Sequence, residues 1–181
     1  TWKGIFFFFL KGLVNIWADV PYQDEFWLGN LRALEELLRA VGLTPNTIFG
    51  VHRGLANIRR IPKAEFNLLI SPWVGLTNVQ HMQEKFGTPY LHWPTLPIGA
   101  FCTSKFLGGV AGYARLVRKK VEEFIREKEA YYYYYIERYA DIFLETRAMA
   151  KKFSVVADAQ YALGITKFLV NDLGRFPAKQ Y

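Results

Sequence analysis

The sequence has 181 residues, of which 51% are hydrophobic and 22% charged. That is enough apolar content to bury a core in one domain, or one domain and part of another, and too much for a disordered chain. Formal net charge is +7 and cysteine occurs once, at Cys102, which excludes an intrachain disulfide and any four-thiolate metal site built by this chain alone.

The first apolar run, residues 5–10 (IFFFFL), lies between Lys3 and Lys11. It is too short to span a bilayer and lacks the small-residue cleavage site of a secretion signal, so it reads as a buried strand and not as a membrane segment. Residues 13–17 (LVNIW) form the next strand-length run. Pro21 breaks the loop that follows. Asp24 is the expected N-cap of a helix, with Glu25 supporting it electrostatically. Trp27, Leu31, Leu34, Leu38 and Val41 share one face of that helix, Arg32, Glu35, Glu36 and Arg39 fall elsewhere, and Gly42 closes it. Asp19 and Asp24 form a carboxylate pair that caps and turns explain more simply than acid–base chemistry.

Residues 44–49 read as a strand ended by Gly50. His52-Arg53 follow in a loop at the carboxyl end of that strand, where an anion or cofactor contact and a plain surface loop are both open readings. Residues 55–61 are a short helical turn stopped by Pro62. Residues 66–70 (FNLLI) are a strand broken by Ser71-Pro72. From Gly75 a helix sets Leu76, Val79, Met82 and Phe86 on one face, and Gly87 fits its C-cap. Residues 90–93 are a strand in which His92 reads as a hydrogen-bonded core residue. Pro94, Pro97 and Gly99 make a rigid loop, and Thr103-Ser104 lead into another helix. Cys102 stands near the start of that helix, as a small core residue or as a redox thiol whose pKa the helix N-terminus lowers. His52, His81 and His92 are scattered, with no HxxxH or CxxC beside them.

From residue 13 to 93 the pattern is β-α-β-α-β-α-β, the grammar of a doubly wound, flavodoxin-like parallel sheet whose ligands bind beyond the strands' carboxyl ends. Neither GxGxxG nor GxxxxGK[ST] occurs, and Gly108, Gly109 and Gly112 fall inside a helical pattern that follows no strand, so no phosphate loop is expected. Three helical glycines cost about 1 kcal/mol each against alanine. Either the helix is locally irregular there or a neighbour packs closely. Residues 119–150 read as one long helix with Ile125, Tyr132, Ile136, Tyr139, Phe143 and Ala150 on one stripe. The run 131–135 is five consecutive tyrosines, more than one stripe buries; they either cover adjacent loops or mark a subunit interface, here a homo-oligomer. Residues 153–157 form a strand, Asp158 follows, residues 160–173 a helix capped by Gly174, and 177–181 the opening of a further strand. The basic segments 115–120 and 147–152 sit among acids and apolar residues and read as solvated helix ends, with no nucleic-acid surface. The expected organisation is a parallel-sheet domain at 1–117, a connecting helix at 118–150, and the first βα unit of a following α/β domain at 151–181, within a longer polypeptide in a reducing, cytoplasmic setting.

The order N-L, S-P-W, a helix ending in E-K-F-G-T-P-Y-L, then L-P-I-G and T-S-K-F-L resembles nitrogenase component 1 and its relatives, from Leu13 to Tyr181. The segment KKFSVVADAQYALGITKFLVNDLG resembles the start of the last domain of the β-type subunit. The resemblance implies an oxidoreductase of α2β2 form that takes electrons from an ATP-dependent iron–sulfur reductase, with an iron–sulfur cluster held between α and β by N-terminal cysteines. In the molybdenum–iron enzymes of nitrogen fixation, the α-type chain holds the metal cofactor on a cysteine and a histidine. The α-type cysteine follows a strand matching residues 66–70, where this chain has Ser71, and a serine hydroxyl is a poor iron ligand. Pro72-Trp73 also matches the β type. The resemblance therefore implies a β-type chain that carries neither a complete active site nor its own cofactor, works with an α-type partner, and contributes to electron transfer and assembly. A non-catalytic scaffold for cofactor assembly, or a small-ligand module on the same sheet, are the alternatives. His52, Arg53, Ser71 and Cys102 are the candidate cofactor contacts.

Overall fold

The computed structural model describes residues 8–18, 21–145 and 152–180. They fall into two compact units, one up to Pro94 and one from Thr95.

The first unit is a four-stranded sheet. Strands β1 (Leu10–Trp17), β2 (Thr44–Asn46), β3 (Ala64–Ile70) and β4 (Tyr90–Trp93) lie in the order β2-β1-β3-β4, and every neighbouring pair is parallel. Parallel strands need crossovers. Helix α1 (Trp27–Ala40) joins β1 to β2; helix α2 (Leu55–Ile58) and a 3-10 turn (Ile61–Lys63) join β2 to β3; helix α3 (Leu76–Phe86) joins β3 to β4. This is the doubly wound α/β order expected from the alternation of apolar runs and helices. Leu13, Val14, Ile16, Phe66, Leu68, Leu69 and Ile70 are at most 2% exposed, so β1 and β3 are covered on both faces. Burying each such side chain is worth roughly 1.5–3 kcal/mol.

Several local expectations change. Phe8 and Phe9 precede β1 and are exposed, as is Leu10, so the described part of the 5–10 run is no buried strand; residues 5–7 lie outside the described residues. Asp24 is not the N-cap of α1, which is Phe26. Its carboxylate instead accepts the Phe26 N–H at 2.8 Å, an Asx turn just ahead of the helix. The partner carboxylate, Asp19, lies outside the described residues. Leu31, Leu34 and Leu38 are buried as the stripe requires, but so is Glu35. Strand β2 ends at Asn46, because the Thr47 hydroxyl turns back to accept the Phe49 N–H at 3.2 Å. Gly75 and Gly87 bracket α3 with φ of +84° and +71°, a conformation glycine adopts without strain.

In the second unit, α4 (Gly99–Tyr113) buries Cys102, Phe106, Leu107, Val110 and Ala111. It starts before Thr103, whose hydroxyl donates to the Pro97 carbonyl. Gly99 opens it with φ +79°, and a Cβ there would lie 2.5 Å from Phe168 and 2.7 Å from Asp172. Helix α5 (Arg118–Glu145) follows, then β5 (Lys152–Val155), α6 (Ala159–Asn171) and β6 (Phe176–Gln180), which pairs parallel to β5. The backbone is helical through Gly108, Gly109 and Gly112, and nothing comes within 4 Å of a Cβ built on Gly108 or Gly112. Neither irregularity nor close packing within the described residues accounts for Gly108 and Gly112; these two line an open groove.

On α5, Val121 is buried, Ile125, Tyr132 and Ile136 are half-buried, and Tyr139 is exposed. Residues 146–150 and the Phe143 side chain lie outside what is described. Tyr131, Tyr133, Tyr134 and Tyr135 are exposed; Tyr135 packs on Tyr131, edge to face at 4.9 Å, and on Tyr134, Tyr133 packs on Tyr132, and the Arg138 guanidinium lies 4.0 Å from the Tyr134 ring.

Candidate functional site

The carboxyl ends of β2 and β3 carry three of the four expected contact residues, with the strand β1 between them. His52 is exposed at the tip of a turn with φ +57°. Arg53 already meets a carboxylate of this chain. Its Nη2 donates to both oxygens of Glu35, at 2.9 and 2.8 Å, and Arg39 from the same helix as Glu35 pairs with that carboxylate too. The Glu35 side chain is 10% exposed. A charge so buried must be paired, and two guanidiniums do it. Gly50 permits the arrangement: a Cβ there would press on Arg53 Cγ at 3.1 Å.

Ser71 is 1% exposed, and its hydroxyl and its carbonyl each accept a hydrogen bond. The hydroxyl accepts the Val74 N–H at 3.0 Å. The carbonyl lies 2.7 Å from His92 Nε2, and since a carbonyl only accepts, Nε2 is the protonated nitrogen. His92 is thus hydrogen-bonded as expected, but from an exposed position on the edge strand and not from the core.

Cys102 sits in the first turn of α4 and is 5% exposed. Burial pushes its thiol above the ordinary range; the positive charge of Lys167 pulls the other way, Asp172 adds to the rise, and Lys105 opposes it. The helix N-terminus does not win over desolvation. Asp172, from the end of α6, occupies that N-terminus, accepting the N–H groups of Ala100 at 2.9 Å and Phe101 at 3.2 Å. Its own carboxyl is raised by burial against those two bonds. Beside it the Tyr132 hydroxyl is pushed up to about 12, first by burial and then by Asp172.

Two features escaped the sequence reading. One is Glu35, which stands four residues after Leu31 and three before Leu38, inside the apolar stripe. The other is a row of amides. Asn46, Asn15 and Asn67 are register partners on adjacent strands. Asn46 Nδ2 donates to Asn15 Oδ1 at 2.8 Å and Asn15 Nδ2 to Asn67 Oδ1 at 2.9 Å. The signal was an asparagine inside each apolar strand. Among the described residues, no three His, Cys, Asp or Glu side chains gather to hold a metal ion, and no helix is long and apolar enough to cross a membrane.

The parallel order β2-β1-β3-β4 defines a doubly wound α/β protein. The comparisons are narrower. Residues 11–179 match the family model for nitrogenase component 1 type oxidoreductases, and the chain belongs to that family. The B subunit of the light-independent protochlorophyllide reductase of Angiopteris evecta is 30% identical over 154 residues, covering 79% of this chain and 28% of that protein. Its counterpart in Bradyrhizobium sp. (strain ORS 278) is 28% identical over 144 residues, covering 78% and 26%. The chain therefore spans about a quarter of the length of these curated relatives. A solved structure, Nitrogenase Cp1 at pH 5, superposes with a TM-score of 0.69 at 17% identity, over 96% of this chain and 33% of that one, a likeness of fold.

Proposed function

We propose that this chain is a segment of the β-type subunit of a nitrogenase-like reductase, and that the whole enzyme acts on protochlorophyllide. In this reading the segment supplies the doubly wound scaffold for complex assembly and electron transfer. It works with an α-type partner subunit and an ATP-dependent iron–sulfur reductase, in a reducing cytoplasmic setting.

The observation that carries the β-type reading is the state of Ser71. The resemblance implies a cysteine ligand here in the cofactor-bearing chain. This chain has a buried serine whose hydroxyl is used to close a turn. A hydroxyl held as an acceptor from a backbone N–H is not presented to a metal. Cys102 fits a cluster no better: it is a single thiol, 5% exposed, and burial disfavours its thiolate, whereas iron–sulfur clusters are held by several thiolates. The residues present do not fit the group, and the cluster and metal cofactor of the parent complex are assigned to ligands outside this segment. His52 and Arg53 serve the Glu35 ion pair and its loop in this reading. The relatives support this choice of substrate, since those named above are B subunits of protochlorophyllide reductases.

The experiment is an anaerobic assay of the full-length polypeptide purified with its α-type partner, given reductase, ATP, an electron donor and protochlorophyllide. ATP-dependent loss of protochlorophyllide absorbance is expected. Reduction of acetylene without loss of protochlorophyllide would mean a true nitrogenase. Transfer of a metal cofactor to another apoprotein without turnover would mean an assembly scaffold.

A further inference from the structure

The burial patterns of β1 and β3 give little information about how these two strands pair. β1 is buried from Leu13 to Ile16 and β3 from Phe66 to Ile70, without alternation of polar and apolar faces. Register is normally fixed by which side chains must face the core. Where both faces are core, an apolar run slid along its neighbour still buries apolar side chains.

The amide row removes that freedom. It is a directed chain. Asn57 Nδ2 donates to Asn46 Oδ1 at 3.0 Å, Asn46 Nδ2 to Asn15 Oδ1 at 2.8 Å, and Asn15 Nδ2 to Asn67 Oδ1 at 2.9 Å. Its remaining groups reach the crossover between β2 and β3. Asn15 Nδ2 also donates to the Ile61 carbonyl, Asn46 Nδ2 to the Asn57 carbonyl, and the Gly54 N–H to Asn57 Oδ1. The Trp17 indole N–H donates to Asn67 Oδ1 at 2.9 Å. With two donors aimed at that oxygen, the orientation of the Asn67 amide is settled, and among the described residues its Nδ2 has no partner.

We infer that the Asn46–Asn15–Asn67 row is a register lock, which makes one pairing of β2, β1 and β3, the last two buried on both faces, the only one in which their amides are joined. A slide of one residue sends an asparagine to the opposite face. A slide of two residues keeps the face but moves the amide by about 6.6 Å along the strand, well beyond the roughly 3 Å of a hydrogen bond. Either slip orphans several buried amides at once, and the Asn57 and Ile61 bonds tie the crossover to the same register.

The test is disulfide trapping in the full-length polypeptide with Cys102→Ala. Ile16 and Leu68 are register partners, so Ile16→Cys with Leu68→Cys reports the native register. Ile16→Cys with Ile70→Cys reports a slide of two residues. Each pair is oxidised and its disulfide yield read by mass spectrometry. With the asparagines present, the native pair is expected to exceed the slipped pair by at least about tenfold. With Asn15→Leu, Asn46→Leu and Asn67→Leu together, that preference is expected to fall to about threefold or less as apolar contacts alone decide. An undiminished preference in the triple variant overturns the lock. If the triple variant does not fold, Asn15→Leu alone decides, because it cuts the row at its centre: a reduced preference supports the inference and an unchanged one overturns it.

Discussion

The Val74 N–H donates to the Ser71 hydroxyl at 3.0 Å. This one bond closes the turn between β3 and α3, and it gives a buried serine a structural occupation at a place where the family resemblance leads one to look for a metal ligand. Ser71→Ala is therefore expected to cost about 0.5–1.5 kcal/mol, the worth of one neutral hydrogen bond. Urea unfolding of wild type and variant side by side measures it. A neutral substitution would mean the turn closes without the hydroxyl.

The two arginines on Glu35 are unequal. Arg53 is 25% exposed and bonds both carboxylate oxygens, whereas Arg39 is 50% exposed. Removing the more buried partner leaves a buried carboxylate poorly compensated. Arg53→Met is expected to destabilise by about 2–3 kcal/mol and Arg39→Ala by less than about 1 kcal/mol. Equal losses in chemical denaturation would contradict the asymmetry.

Glycine substitutions should split by position. At Gly99 the φ of +79° and the approach of Phe168 to 2.5 Å from a built Cβ leave no room for a methyl group. Gly99→Ala should cost more than about 2 kcal/mol. Gly108→Ala and Gly112→Ala enter open space within a regular helix, and each should stabilise by about 0.5–1 kcal/mol. Melting temperatures of the three variants test this; a loss of stability at Gly108 or Gly112 would show that the groove is filled in the native protein.

Cys102 should react slowly. Burial raises its thiol pKa against the pull of Lys167, so thiolate is scarce at neutral pH. Alkylation of the native protein at pH 8 is expected to be at least about tenfold slower than that of the unfolded chain. The sign for stability follows from the same shift. A thiol whose folded pKa is raised lends stability below its unfolded pKa and loses it as pH rises through the folded one. Cys102→Ala should flatten the alkaline fall in stability. A native rate equal to the unfolded one would mean an activated thiol.

Much of the fold was legible because periodicity reports burial. The four strands, their parallel order and the helices between them follow from apolar runs alternating with amphipathic stripes and punctuated by Pro21, Pro62, Gly75 and Gly87. What was illegible is polar and non-local. Asn15 and Asn67 each look like a flaw in an apolar run, and Asn46 like a turn residue after Pro45, until the register places them side by side. Glu35 follows the helical period of its leucine neighbours, but its charge removed it from the expected stripe, and the Arg53 that neutralises it is 18 residues away. Asp172 reaches the start of α4 across 72 residues of sequence. At the candidate site, the sequence located Ser71 and Cys102 but carried no sign of what occupies the hydroxyl or how deeply the thiol is buried.

The central claim is that this segment belongs to a β-type chain and holds no metal ligand. It is tested most directly by iron analysis of the complex purified anaerobically around the full-length protein, comparing wild type with Ser71→Ala and with Cys102→Ala. The account expects the same iron per complex in all three. Loss of iron in either variant would contradict it, and would make that side chain a cluster or cofactor ligand.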